Sequence, residues 1–542
     1  RSERAPFGLT EVKKDVLVTN STFAGESTTI PYHPSAQQLH IDDSNLTCIR
    51  CNFTNRIGYY GGANEFGYIL SINATDPITG LQTNNIDFWG NAVSDSFNAT
   101  LGARPSNWSS SANLTIRNIL YWADDATSFN STLVLQENIT IANITLTNMT
   151  NLNISAGNGT TLTNNLNVNG TVNINTNSNL TAMGTASINY IGFINSRTGN
   201  TPVSFGSLII NSGRYNATPG TTTLTSESSS GLAIDNDGTW THNLGRVNIT
   251  TNANTTIDVA GTGNLFNLQI AVLNGTNVTL LDNALLSGGL NVTTGTFDTN
   301  FTFGYNLTAV REAQIAGILH GRNTTNITFG SLSILAGGVY NATNNLTIIN
   351  GENLFQGRAI DNDGRLIANN GTINITNIGD DTTYDLVGEL PGNPWNLNIL
   401  NPFSNYYASI GGEIDNDVYI DNSNFIAGAG GVASDINITG TLTIGNGGRF
   451  GNNGDTGNQG FGAIVIRNTG NFRATSGDTN ITNGNWSNSG SFTHNAGRIF
   501  FGGGTGNNQS ITGDNETTFF NLNITNGAIA VTQEQNATVE GV

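Results

Sequence analysis

An all-β chain built as a stack of short strands is the fold class this sequence predicts, and three observations predict it. Apolar side chains alternate with Asn and Thr over most of the 542 residues. Segments with helical spacing and caps are scarce, while turn pairs such as Asn-Gly and Asp-Gly are dense. Blocks of sequence return at intervals of about 125 residues.

The first 130 residues differ from the rest. Both cysteines lie here, with the aromatic run Tyr59-Tyr60-Gly61-Gly62-Ala63-Asn64-Glu65-Phe66-Gly67-Tyr68 and the further aromatics Phe88, Trp89, Trp108, Tyr121 and Trp122. Residues 1–130 are expected to form a separate aromatic-rich β cap or docking domain, because a stack of strands leaves unpaired backbone groups at its end. Cys48-Ile49-Arg50-Cys51 predicts a local disulfide between Cys48 and Cys51 in an oxidising compartment. A Cys2His2 zinc site with His33 and His40 is the alternative. A redox role would need a βαβ context, which the pattern lacks.

From residue 131 onward strands dominate. In Leu166-Asn167-Val168-Asn169-Gly170-Thr171-Val172-Asn173-Ile174 every second position is apolar or Gly and most of the others are Asn. Such a strand has one buried and one wet face. The chain holds about 36 Asn-x-Ser/Thr triplets, the acceptor pattern for N-linked sugar. In a strand, Asn at i and Thr at i+2 share the wet face while the residue between points inward. Candidate glycosylation sites are Asn45, Asn52, Asn73, Asn98, Asn138, Asn143, Asn169, Asn216, Asn248, Asn277, Asn291, Asn306, Asn326, Asn345, Asn374, Asn437, Asn480 and Asn523. An alternating Asn/Thr strand also produces such triplets with no selection for sugar, so the pattern admits both explanations.

The repeats fall at 205–301, 329–402 and 440–542. Phe205-Gly206-Ser207-Leu208 returns as Phe329-Gly330-Ser331-Leu332, and more loosely as Gly440-Thr441-Leu442. A Gly-aromatic turn follows each: Gly213-Arg214-Tyr215, Gly338-Val339-Tyr340, Gly448-Arg449-Phe450. Ala233-Ile234-Asp235-Asn236-Asp237-Gly238 returns intact as Ala359-Ile360-Asp361-Asn362-Asp363-Gly364. Thr241-His242-Asn243-Leu244-Gly245 returns as Thr493-His494-Asn495-Ala496-Gly497, which points to a turn role for the histidines. A period near 125 residues is too long for one coil and fits several coils of roughly 20–25 residues.

Over residues 133–542 this grammar resembles the parallel β-helix regions of secreted bacterial and archaeal surface proteins and adhesins. The resemblance implies a right-handed parallel β-solenoid with short strands on three faces and a narrow aliphatic core. Tandem β-sandwich domains are the competing architecture, since the period matches them in size. In a solenoid, Asn236 and Asn362 are candidates for turn positions where carboxamides stack into ladders from coil to coil. Asp235, Asp237, Asp361 and Asp363 offer the acidic part of a weak calcium site as an alternative, without the distal ligands of a full loop.

Charged residues make up 11% of the chain, the net charge is −19, and Lys13 and Lys14 are the only lysines. Such a chain has no attraction for nucleic acid or anionic lipid. No segment approaches the roughly 20 apolar residues of a membrane helix, so no membrane insertion is expected. The opening Arg1-Ser2-Glu3-Arg4 suggests a processed, secreted product. The coil-like pattern that persists to Val542 suggests head-to-tail stacking of copies into a filament or surface layer, with Asp15-Val16-Leu17-Val18-Thr19 as a strand to donate. No catalytic residues are assigned and no enzyme is expected, a β-helix polysaccharide-degrading enzyme being the remote alternative. The densest acidic stretch, Asp380, Asp381, Asp385 and Glu389, has the look of a loop, and lysine is missing from the repeats. The expectation is an extracellular structural glycoprotein of archaeal type, with covalent sugar and no other cofactor. A binder of cell-surface glycans through Trp395, Tyr406, Tyr407 and Trp486 is the alternative.

Overall fold

The computed structural model describes residues 143–541 with side chains, except for some short stretches, and the strand backbone of residues 1–142; of 377–392 and 401–411 it describes strand backbone alone. The chain divides into two compact units, Arg1–Thr276 and Asn277–Val542. Both are all-β parallel solenoids, and among the described residues there is no helix. Strand pairs with parallel register exclude the β-sandwich alternative, whose sheets are antiparallel.

The N-terminal unit winds through three faces. One stacks Gly159–Leu162, the first halves of Asn179–Asn189 and Val203–Asn211, then Thr221–Leu224, Arg246–Ile249 and Asn267–Ala271. A second stacks Asn113–Asn118, Asn143–Leu146, Leu166–Val168, the second halves of the same long strands, Leu232–Asn236 and Thr255–Asp258. The third runs from Ser131–Leu135 through Thr150–Ile154, Thr171–Ile174, Phe193–Asn195 and Arg214–Asn216 to Thr239–Thr241. The expected cap domain at 1–130 lies outside the residues described with side chains. Its strand backbone includes Phe97–Leu101, which pairs in parallel with Ser131–Leu135.

Period two in the sequence becomes columns in the core. Ile144, Leu166, Ala186, Leu208, Ile234 and Ile257 stand in register on successive coils, all fully buried. Each buried Leu or Ile of this column contributes about 1.5–3 kcal/mol of transfer free energy. In the C-terminal unit an aromatic column does the same work. Phe425, Phe450, Phe472 and Phe492 are in register, with ring centroids 5.3, 5.5 and 5.7 Å apart.

The recurring sequence blocks mark corners. Phe205-Gly206-Ser207 and Phe329-Gly330-Ser331 lie inside the long strands Val203–Asn211 and Asn326–Ile334, which run through a corner and serve two faces. The Gly-aromatic blocks bury Tyr215 and Tyr340 completely, and each hydroxyl meets a threonine, Thr222 and Thr347, at 2.8 Å. Burial pushes the Tyr215 hydroxyl up to about 12, opposed in part by the bonds from Thr222 and Ser196. The third copy carries Phe450 and has Gly457 seven residues on, so hydroxyl and partner are lost together. A phenol held neutral in the fold favours the native state only while the unfolded phenol is also neutral. Stability should therefore fall as pH rises from about 10 to about 12. Tyr215→Phe should abolish that share of the loss in an alkaline denaturation series.

The Thr-His-Asn-x-Gly block is a left-handed turn. Asn243 and Leu244 have φ of 44° and 62°, and Asn495 and Ala496 have 45° and 59°. His242 Nδ1 accepts the Leu244 N–H and His494 Nδ1 the Ala496 N–H, both at 3.0 Å. Asn243 and Asn495 donate to the carbonyls of Ala217 and Ala474 one coil below, both at 2.7 Å. Ala368-Asn369-Asn370-Gly371 is a third copy without the histidine, in which Asn369 reaches the Ala342 carbonyl at 2.7 Å.

Candidate functional site

The wet faces of the strands are the candidate site. In Asn277–Leu280 the pattern is exposed, buried, half-buried, buried, and Thr372–Ile375 alternates likewise. Asn and Thr of a triplet face water and the residue between them enters the core. The threonine of several triplets has a structural partner as well. Thr250, Thr376 and Thr482 each direct both N–H and hydroxyl to one carbonyl in the coil below: Leu224, Ile349 and Phe461. The N–H distance is 2.8 Å in all three, and the hydroxyl distances are 3.2, 3.4 and 3.2 Å.

Of the candidate glycosylation sites, Asn277, Asn326, Asn345 and Asn437 are exposed. Asn143, Asn169, Asn216, Asn248, Asn291, Asn306, Asn374, Asn480 and Asn523 are half-buried. Asn45, Asn73 and Asn138 lie outside the described residues, as do the side chains of Asn52, Asn98, Cys48 and Cys51. The triplet at Asn341 is of a different kind. Its side chain is 9% exposed, with Nδ2 3.1 Å from His320 Nδ1 and Oδ1 accepting from Asn369. Exposed triplets at Asn179, Asn485, Asn515 and Asn536 were equally legible in the sequence.

Carboxamide ladders exist, but not at the expected positions. Asn173 donates to Asn153 at 2.8 Å, Asn195 to Asn173 at 3.3 Å and Asn216 to Asn195 at 3.5 Å. A second kind runs from side chain to backbone: Asn143 Oδ1 accepts from Asn165 N–H at 2.9 Å, and Asn165 Oδ1 from Thr185 N–H at 2.8 Å. Asn236 and Asn362 stand instead in register with Ile210 and Ile334 and are buried. They continue aliphatic columns rather than amide stacks, because each is two residues from an inward isoleucine.

The acidic candidates do not converge. Asp237 and Asp363 are exposed, and Asp361 accepts from the Arg358 guanidinium. Among the described residues no group of three or more His, Cys, Asp or Glu is placed to hold a metal ion. Asp235 is in register with Asp258 on the next coil. Burial, then Asp237 and Asp258, push its carboxyl above the ordinary range. A raised carboxyl disfavours the fold once ionised, so Asp258→Asn should raise Tm at pH 7 and have less effect at pH 3, as read by thermal unfolding.

Of the aromatic candidates, Trp486 is fully buried and Trp395 half-buried, while the side chains of Tyr406 and Tyr407, like those of Asp380, Asp381, Asp385 and Glu389, lie outside the described residues. An aromatic that the sequence did not flag faces water instead. Tyr419 lines a shallow polar groove of about 420 Å³ with Thr372, Asn396, Asn398, Asp417 and Thr443. The Arg467 guanidinium stands 5.7 Å from its ring centroid.

No protein-family model, curated protein or solved structure matches this sequence.

Proposed function

We propose that the chain is an extracellular structural scaffold whose wet faces carry N-linked sugar. The observation that supports this most is the strand geometry: triplet asparagines such as Asn277, Asn326 and Asn437 face water while the residue between enters the core. Transfer would join the anomeric carbon of an activated, diphosphate-linked sugar to Asn Nδ2, which loses one proton as the diphosphate leaves. No catalytic step and no other cofactor belongs to this reading, and nucleic acid and membrane insertion have no part in it. Its assembly partner is another copy of the chain. A parallel stack presents unpaired N–H and C=O groups at each end, wherever the full chain places those ends, and such edges pair with like edges into open polymers. Electron microscopy of native material tests the assembly: filaments or a lattice are expected, and monodisperse single copies at micromolar concentration would refute it.

A second reading, glycan binding at a cell surface, is favoured by the groove beside Tyr419. An aromatic ring among Asn, Thr and Asp side chains offers a sugar both a stacking face and hydrogen bonds. Tyr419→Ala should abolish glycan-array binding; unchanged binding would exclude the groove.

A further inference from the structure

Asn437, Gly460, Asn480, Phe500 and Asn523 form a single outward column in the C-terminal unit. Their register is continuous: Asn437 with Gly460, Gly460 with Asn480, Asn480 with Phe500, and Phe500 with Asn523. Three of the five are the asparagines of Asn-Ile-Thr triplets, and they occupy alternate coils. Coils are spaced by roughly 4.8 Å, which sets these asparagines roughly 10 Å apart. That is room for one sugar chain beside the next.

The intervening positions leave the column open. A Cβ on Gly460 would lie 2.5 Å from Asn437 Oδ1, so the carboxamide rests over the glycine. Phe500 is half-buried, and the guanidinium of Arg498 stands 4.9 Å from its ring centroid. Arg498 is itself held by Asp478 at 3.2 Å. Among the described residues no hydrogen bond occupies the side chains of Asn480 or Asn523, whereas Asn216 and Asn374 are tied into ladders. The acceptor amides flanking the ring are unengaged, and the ring is an apolar surface on a polar face.

We propose that Phe500 is the stacking platform for the first sugars attached at Asn480 and Asn523. The C–H face of a pyranose is apolar and weakly positive, which complements the negative face of a phenyl ring. Sugar and coil then form one packed surface, and the glycan stabilises the fold as well as coating it. This inference rests on the glycosylation reading above.

The test is a thermal cycle on protein secreted by a glycosylating host, with peptide mass spectrometry of the same samples. The double change Asn480→Gln and Asn523→Gln should lower Tm by about 2–4 °C in the native background. In a Phe500→Ser background the same change should move Tm by less than half as much, and Phe500→Tyr should restore the full shift. Sugar present at both sites with equal shifts in the native and Phe500→Ser backgrounds overturns the inference alone. Peptides bare at both sites overturn it alone when other wet-face triplets such as Asn277, Asn326 and Asn437 carry sugar, and overturn it together with the glycosylation reading when those are bare as well.

Discussion

Replacing Trp486 with alanine is expected to destabilise the C-terminal unit by about 3–5 kcal/mol. Trp486 is fully buried and heads the largest side chains of the core. Its ring meets Phe492 edge-on at 4.7 Å, Phe519 at 5.3 Å and Phe472 at 5.8 Å. Its Nε1–H donates to Thr517 Oγ1 at 3.2 Å, and Asn488 shares that hydroxyl at 3.0 Å. Truncation removes ring contacts on several sides and leaves a buried hydroxyl with one donor fewer, and the parallel backbone cannot close the gap because each strand is pinned by the coils on either side. Denaturant unfolding followed by tryptophan-independent far-UV signal measures the loss. A change below about 1 kcal/mol would mean that the aromatic packing around Trp486 does not bear on stability.

Gly497→Ala is expected to cost about 1–3 kcal/mol. The new Cβ would run into the Thr475 carbonyl oxygen and stand 2.9 Å from that of Gly477. Both are backbone atoms of the coil below, so neither can rotate aside. Gly245 meets the carbonyls of Thr218 and Gly220 in the same way, and Gly371 those of Thr343 and Asn345. All three close the same left-handed turn, with N–H bonds of 2.8, 2.8 and 2.9 Å to the residue three before. Gly275→Ala is the control: its Cβ would meet nothing within 4 Å, and only its φ of +86° opposes the change, a cost of about 1 kcal/mol. Equal losses at Gly497 and Gly275 would show that conformation, rather than coil-to-coil contact, selects these glycines.

Much of this architecture was legible in the alternation. The inward aliphatics and the outward asparagines of the Asn-Ile-Thr strands follow from period two. The same rule, carried through, also reaches two residues that were misplaced. In Asn485-Trp486-Ser487 the tryptophan holds the inward position of a triplet, so its burial was implied by the geometry that puts Asn485 outside. Asn236 lies two residues after Ile234 and therefore shares its inward face, although an Asn before Asp-Gly suggests a turn. Register was beyond the sequence. Coils differ in length, 20 residues between Asn153 and Asn173 but 25 between Leu224 and Ile249, so no fixed spacing tells which asparagine stacks on which. The ladder from Asn153 to Asn216 and the column through Phe500 emerge only once strands are paired. The groove at Tyr419 joins side chains from several coils and has no local signature.

Site-by-site sugar occupancy on native protein tests the central claim most directly. The account predicts N-linked sugar on wet-face asparagines such as Asn326, Asn437, Asn480 and Asn523, and none on Asn341, whose amide is buried against His320. Bare asparagines throughout the wet faces, or sugar on Asn341 in folded protein, would contradict it.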